Sequence, residues 1–128
     1  MAYESPGIDI GTFTASADLS AKQYYIVKMS GENTVTVAAA VTDVPIGILQ
    51  NKPASGEQAV VRVFGVSKVS ADATLAAGDI IGPSADGQAQ PVVQGTETTV
   101  YNVGQALTAG AAGTLQSAFI NIANGRAA

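Results

Sequence analysis

The chain has 128 residues, of which 47% are hydrophobic and only 12% are charged, and its formal net charge is −4. It contains no cysteine and no histidine, which excludes disulfides, thiolate metal sites, cysteine nucleophiles and Ser-His-Asp triads. The six lysines and arginines are spread singly, so we expect no direct binding of nucleic acid and no polybasic membrane anchor.

The predicted elements are all extended. Residues 1–14 are predicted to form an N-terminal arm, because Pro6 and Gly7 oppose helix and alternating apolar residues follow. Strands are then predicted at 24–29, 34–37, 45–49, 58–69, 80–81, 88–93, 100–107 and 115–122. No segment has the length and periodicity of an amphipathic helix. The sequence therefore predicts a single β domain over 15–128 that follows the arm.

The strand predicted at 58–69 carries the most distinctive cation. Arg62 alternates with Val60, Phe64 and Val66 on one face of this strand. It is either the exposed end of a half-buried strand or a donor to an ion pair at an interface, and the sequence leaves both open. Gly65 interrupts the strand and predicts a bulge or a close approach of another backbone.

A local turn pattern recurs at three places. Leu19, Leu75 and Leu107 each begin a Leu-x-Ala stretch that continues with small or polar residues. We predict a tight turn at each, with the leucine buried in the core. The spacings are unequal, so this pattern does not indicate a solenoid.

Acidic residues are the remaining candidates for chemistry, and most of them lie beside turn residues. These acids are Asp18, Glu32, Asp43, Glu57, Asp72, Asp79, Asp86 and Glu97. Carboxylates in such positions usually accept hydrogen bonds from turn backbone, so we predict turn and capping roles. A two-carboxylate mechanism stays formally open, but calcium-loop and P-loop patterns do not occur. We expect no enzyme activity, no metal and no cofactor.

Several motifs, in order, resemble one family of viral proteins. They lie at residues 17–21, 45–54, 61–63, 66–69, 76–79 and 103–107, and the likeness extends over about residues 15–122. The chain resembles the small phage capsid cement, or head-decoration, proteins of the DUF2190 type.

The resemblance implies a structural protein without an active site. It implies a small β-clip or β-tulip-like barrel or sandwich with an extended N-terminal arm. The expected function is decoration of the outer surface of an HK97-like phage head, made in the host cytoplasm. The expected partners are the phage major capsid protein, whose subunits it would bridge, and further copies in a homotrimer at three-fold or quasi-three-fold positions.

The residues themselves also indicate a mechanism of attachment. An extended arm can add a strand to an exposed sheet edge on the shell, and a weakly charged β body can bury apolar surface against its neighbours. The candidate residues for contact with the capsid or with other copies are Tyr3, Ile8, Ile10, Phe13, Arg62 and Phe64. The alternative is a tail, fibre or surface adhesin that binds a host glycan, and a small carboxylate enzyme is a third possibility.

Overall fold

The computed structural model describes residues 2–93 and 95–122. Within these residues the chain forms nine β-strands and no helix, so the all-β prediction is confirmed. The strands are β1 Ile8–Ala15, β2 Ile26–Gly31, β3 Thr34–Val37, β4 Pro45–Leu49, β5 Gln58–Ser70, β6 Ile80–Pro83, β7 Ala89–Pro91, β8 Gly104–Ala106 and β9 Leu115–Asn121.

Five of these strands close into a barrel. Their order is β1–β3–β2–β4–β5, and β5 pairs back onto β1. The β1–β3 pair is parallel, whereas the other pairs of the barrel are antiparallel. Of the predicted alternatives, barrel or sandwich, the barrel is the one that forms. Closure matters because it removes the free edges through which β-sheets otherwise aggregate.

β5 joins the barrel to the rest of the sheet. Its first half, from Gln58 to Phe64, pairs with β1, and its second half, from Phe64 to Ser70, pairs with β9. Beyond β9 the sheet continues through β8 and β6 to β7. This strand of 13 residues belongs to both parts of the sheet, because its first half pairs within the barrel and its second half pairs with β9.

Two large apolar clusters form most of the core, one inside the barrel and one beneath the added strands, and Val92 and Val100 form a small third cluster. β2 and β4 contribute to both clusters, since successive residues of a strand point to opposite faces. Val27 and Leu49 face the barrel cluster, whereas Ile26 and Ile48 face the second cluster. All four side chains are fully buried, which explains why consecutive residues are apolar at 26–27 in β2 and at 48–49 in β4.

The N-terminal segment is extended, as predicted, but much of it belongs to the sheet. β1 begins at Ile8 and ends at Ala15, so the predicted boundary at residue 14 falls inside a strand. The β1 ladder pairs with β5 of the same chain from Ile8 to Thr14. One edge of the segment that we expected to add a strand to the capsid is therefore already paired within this chain, and the other edge pairs with β3 only at Thr14 and Ala15.

The recurring Leu-x-Ala turns have two different outcomes. Leu19 and Leu75 are 2% and 1% exposed, so the prediction of a buried leucine is confirmed for both. For Leu107 it is wrong, because this side chain is 38% exposed. The turn at Leu107 is joined to the turn at Leu75 through the backbone, because Leu75 and Gly110 exchange two hydrogen bonds.

Candidate functional site

The six candidate interface residues separate into two groups. Four of them lie on the outside of the barrel: Tyr3, Ile8, Arg62 and Phe64. The other two face inward, since Phe13 is a buried member of the barrel cluster and Ile10 packs against that cluster. Because Phe13 is buried in the core, its side chain reaches a partner only if the barrel opens, whereas Ile10 is only partly buried.

Ile8, Phe64 and Phe119 form what we call the apolar patch. Ile8 and Phe64 are direct partners in the β1–β5 ladder, and 60% and 44% of their surfaces remain exposed. Phe119, on β9, packs edge-on against Phe64 with ring centroids 5.2 Å apart and an interplanar angle of 81°. Aromatic rings favour this geometry. The patch is preformed because three hydrogen-bonded strands hold its side chains.

Arg62 lies beside the apolar patch and binds the N-terminal segment. Its Nε and one terminal nitrogen donate to the two carboxylate oxygens of Asp9, at 2.7 and 3.2 Å. The other terminal nitrogen donates to the carbonyls of Ser5 and Val66, at 3.0 and 2.7 Å, and lies 3.8 Å from the carboxylate of Glu4. The hydrogen bond to Asp9 is the main reason that the pKa of Arg62 is raised above its ordinary value.

Residues 2–10, which we call the strap, lie along the outside of β5 and β9. The main chain of Tyr3 exchanges hydrogen bonds with the hydroxyl of Ser117, which accepts from the Tyr3 N–H and donates to its carbonyl at 2.7 Å. The N–H of Ser5 donates to the carbonyl of Val66 at 3.3 Å. The strap is therefore held through its main chain as well as through its carboxylates.

Two glycines let the strap approach β5 closely. A Cβ atom on Gly7 would lie 2.3 Å from the carbonyl oxygen of Phe64, and one on Gly65 would lie 2.7 Å from the Cα of Gly7. Gly65 also has a φ of 117°, which L side chains rarely adopt. The predicted close approach at Gly65 is confirmed, and the approaching backbone is the strap. We use the term seat for the groups that receive the strap: Arg62, Gly65, the Val66 carbonyl and Ser117.

The acidic residues have the turn roles that we predicted in six of eight cases. In each of the six, a carboxylate accepts a hydrogen bond from a backbone N–H two to four residues away. The six are Asp18, Asp43, Glu57, Asp79, Asp86 and Glu97. At Asp86 the hydroxyl of Ser84 also donates, and this hydrogen bond is the main reason that the pKa of Asp86 is lowered.

An open cavity of about 450 Å³ lies between the end of β2 and the start of β4. Lys28 and Asp43 face each other in it at 3.0 Å, and the rest of its wall is formed by Met29, Val44, Pro45 and Ile46. The pKa of Asp43 is lowered, chiefly by the hydrogen bond from the N–H of Ala39. The two charges neutralise each other, so the cavity presents an ion pair and no free reactive group.

A metal-binding cluster and a membrane-spanning helix are both absent from the described residues. Among residues 2–93 and 95–122, no group of three or more acidic, histidine or cysteine side chains is placed to hold a metal ion. Within the same residues, no helix has the length and apolar character needed to cross a bilayer.

No protein-family model and no curated protein matches the sequence. A solved structure matches the fold. It is the crystal structure of the head fiber gp8.5 N base in bacteriophage phi29, with a TM-score of 0.66 and 18% sequence identity. The match covers 93% of this chain and 98% of that chain. At this identity the likeness shows a common fold and transfers no residue roles, and the DUF2190-type resemblance stays a prediction.

Sequence reasoning missed the residues that receive the strap. Ser117 and Phe119 lie two positions apart on β9, so they share a face, but only the pairing of β9 with β5 brings that face beneath the strap. Ser117 is fully buried. A serine within an apolar strand is a usable signal, because a buried hydroxyl needs a hydrogen-bond partner. Nothing local identifies Tyr3 as that partner.

Proposed function

We propose that this chain is a structural protein of a phage head and is attached to the outer surface of the capsid. The observation that carries the proposal is the match between its fold and a phage head fiber base over nearly the whole of both chains. The composition supports it, because a chain without histidine or cysteine, whose acids mostly cap turns, has little equipment for catalysis.

In its finer form, the proposal is that the chain acts as a decoration, or cement, protein that bridges major capsid subunits of the mature shell. A protein that binds the mature shell more tightly than the immature or broken shell stabilises it by that difference in affinity. The closed barrel supplies a rigid body, and several weak contacts made at once give a strong attachment. A homotrimer at the three-fold positions is part of this proposal, and native mass spectrometry of the purified chain tests it.

The apolar patch is the surface that we propose faces the capsid. Ile8 and Phe64 are exposed large apolar side chains next to one another, and such clusters mark interaction sites more often than scattered apolar residues do. An aromatic side chain held rigidly at the centre of a patch is also typical of residues that dominate binding energy.

A second candidate function is the base of a head fibre, which the name of the structural neighbour favours. A base would hold a further fibre protein on the head, whereas a cement protein would reinforce the shell itself. The glycan-binding adhesin is the variant of this candidate in which the chain itself contacts the host.

The decisive experiment uses heads of a phage that encodes this chain, assembled without it. Purified chain is added, the heads are pelleted, and bound protein is measured, followed by cryo-electron microscopy of the particles. Co-pelleting with density on the outer surface supports the proposal. If the chain stays in the supernatant, or if bound chain is found only inside the head, the proposal is wrong.

Two further measurements separate the candidate functions. Cement raises the temperature at which heads release DNA, whereas a fibre base leaves that temperature unchanged and its loss removes a fibre from micrographs. An adhesin binds host cells or glycans without any head present.

A Phe64→Asp variant tests the proposed surface. It places a charge at the centre of the apolar patch, so we expect at least about a tenfold loss of head binding with the fold intact by circular dichroism. The matched control is Val93→Asp, which puts the same charge on a residue that is 56% exposed in the loop after β7. Equal binding of the two variants to phage heads would show that the apolar patch does not face the capsid.

A further inference from the structure

The seat on β5 and β9 is a binding site for an extended peptide. Ser117 offers a hydroxyl that both accepts from and donates to a main chain, and the Val66 carbonyl accepts an N–H. Arg62, with 12% of its side chain exposed, donates to a peptide carbonyl. In this structure the occupant is the strap of the same chain.

The strap is matched to the seat in chemistry as well as in shape. Glu4 and Asp9 place carboxylates at Arg62, and only glycine fits at position 7, because a Cβ there would meet the Phe64 carbonyl at 2.3 Å. An unrelated peptide would need acids and a glycine in the same order. Every copy of this chain carries that order at its N-terminus.

The strap is also set apart from the remainder of β1. The β1–β5 ladder has a break in register between Ile10 and Phe13, and Gly11 lies in that break. Beyond the break, Phe13 and Ala15 are buried in the barrel cluster and hold the end of β1 in place. The strap can therefore leave β5 at Gly11 while the pairs Phe13–Ala59 and Thr14–Gln58 keep the barrel closed.

We propose that the seat receives, in trans, the strap of a second copy of this chain. The exchanged strap makes the same hydrogen bonds and the same ion pair as the strap in cis, which is the condition under which exchange between copies costs little. Nine extended residues reach about 30 Å, about twice the radius of gyration of about 14 Å expected for a domain of this size. The strap of one copy is therefore long enough to reach the seat of a neighbouring copy. The fraction of exchanged straps is expected to increase where copies are concentrated or held side by side.

The chain contains no cysteine, which permits a clean crosslinking experiment. Ile8 and Phe64 face each other across the ladder, and directly opposite strand residues lie within the range of a disulfide. Two single variants, Ile8→Cys and ¹⁵N-labelled Phe64→Cys, are mixed in equal amounts at several concentrations and oxidised. Contact between the apolar patches of two copies would also give 8–8 and 64–64 disulfides, so an excess of 8–64 disulfides between different copies reports the strap of one copy on the other.

We expect a heterodimer whose linked peptides contain positions 8 and 64, and whose yield rises with protein concentration. Dimers formed by each variant alone measure random crosslinking. The double variant Ile8→Cys, Phe64→Cys in dilute solution provides the reference, since it closes within one chain. If that variant closes while the equimolar mixture gives no 8–64 heterodimer above the random level at any concentration, the proposal is wrong. The test needs no phage head, so its result is independent of the proposed function.

Discussion

Arg62 makes four hydrogen bonds with groups that are distant from it in the chain or on its own strand. Hydrogen bonds that involve a charged group contribute more to stability than neutral ones, and a guanidinium supplies donors in a fixed plane that suits a carboxylate. The exposed fractions of its carboxylate partners, Asp9 and Glu4, are 33% and 30%. Solvent weakens these ion pairs, so the bonds to the two carbonyls carry a substantial part of the effect.

Replacing Arg62 with methionine is expected to lower the free energy of unfolding by about 2–3 kcal/mol. The aliphatic part of the side chain is kept, but the Ser5 carbonyl and the Asp9 carboxylate lose the Arg62 donor. The Val66 carbonyl keeps only the Ser5 N–H, and Glu4 loses its cationic partner. Urea unfolding followed by circular dichroism measures the change. The control is Lys52→Met, which removes an exposed cation and is expected to change stability by less than about 0.5 kcal/mol. Equal midpoints for the two variants would contradict a stabilising role for Arg62.

Asp43 links stability to acid pH. Its pKa lies below the ordinary 3.8, chiefly because the N–H of Ala39 donates to its carboxylate; Lys28 and the Ala40 N–H lower it further, and burial opposes them. A carboxyl with a lowered pKa in the folded state contributes stability that is complete above about pH 4 and is lost as pH falls through the folded value.

We therefore expect the Asp43→Asn variant to lose less stability than the parent between about pH 4 and pH 2, with a difference under about 1 kcal/mol. Thermal unfolding at a series of pH values measures this slope. Glu32→Gln, which removes an exposed carboxyl from the turn between β2 and β3, is the control. An Asp43→Asn variant with the acid sensitivity of the parent would show that this carboxylate does not couple to folding.

At the scale of elements, the strap and the part of β1 that follows it have different roles. The part of β1 after Gly11 places Phe13 and Ala15 in the barrel cluster, so it belongs to the fold. The strap is held by hydrogen bonds, an ion pair and a glycine contact, and its one contact with the barrel cluster is that of Ile10. Elements held mainly by polar contacts at the surface open more readily than buried strands do.

Two truncations test this division. Deletion of residues 1–7 removes the strap's bonds to Ser117 and to the Val66 carbonyl and takes Ser5 and Glu4 away from Arg62. It is expected to cost about 1–2 kcal/mol with the barrel intact. Deletion of residues 1–11 also removes Asp9 from Arg62 and the packing of Ile10, and is expected to cost about 2–3 kcal/mol more. Urea unfolding measures both. Equal stability of the two truncated chains would show that residues 8–11 add nothing to the fold.

At the scale of the whole molecule, a closed barrel carries few charges and an exposed apolar patch. The net charge of −4 is distributed over 128 residues, and the described part of the chain pairs Arg62 and Lys28 internally. Such a surface offers little for long-range attraction and favours contact through apolar area.

Attachment to phage heads is accordingly expected to depend weakly on salt. Raising the ionic strength from about 0.1 to about 1 M shortens the screening length from about 10 to about 3 Å, and we expect the fraction of chain that pellets with heads to change by less than about twofold. Co-sedimentation at both salt concentrations measures this fraction. Release of the chain by high salt would show that charge, and not apolar contact, holds it on the head.

Local patterns predicted most of the strands, and the errors have physical causes. The strands at 34–37 and 45–49 were predicted with the observed bounds, and the long strand differs from β5 by its last residue. The strand predicted at 100–107 is reduced to Gly104–Ala106, because its partners β6 and β9 pair with it only over those residues. Strand length depends on partners, which alternation along one segment does not reveal.

The positions of the candidate interface residues also depend partly on local patterns and partly on strand pairing. Alternation puts Phe64 on the same face of β5 as Arg62, whereas the outward position of Ile8 and the inward positions of Ile10 and Phe13 accompany the two register shifts of the β1–β5 ladder. The sequence leaves Arg62 as either the exposed end of a half-buried strand or a donor to an ion pair at an interface. In the structure it is an ion-pair donor, and its partner is Asp9 of the same chain.

The sequence by itself determined the all-β class, the positions of most strands, the turn roles of six of the eight acids and the lack of histidine and cysteine chemistry, because each depends on composition or on residues within a few positions of one another. Only the tertiary structure decided that the N-terminal segment lies on β5 and β9 and that Arg62 binds Asp9. Those pairs are separated by 53 to 114 positions. They form because β5 closes the barrel on one side and extends the sheet on the other, and no local pattern encodes that closure.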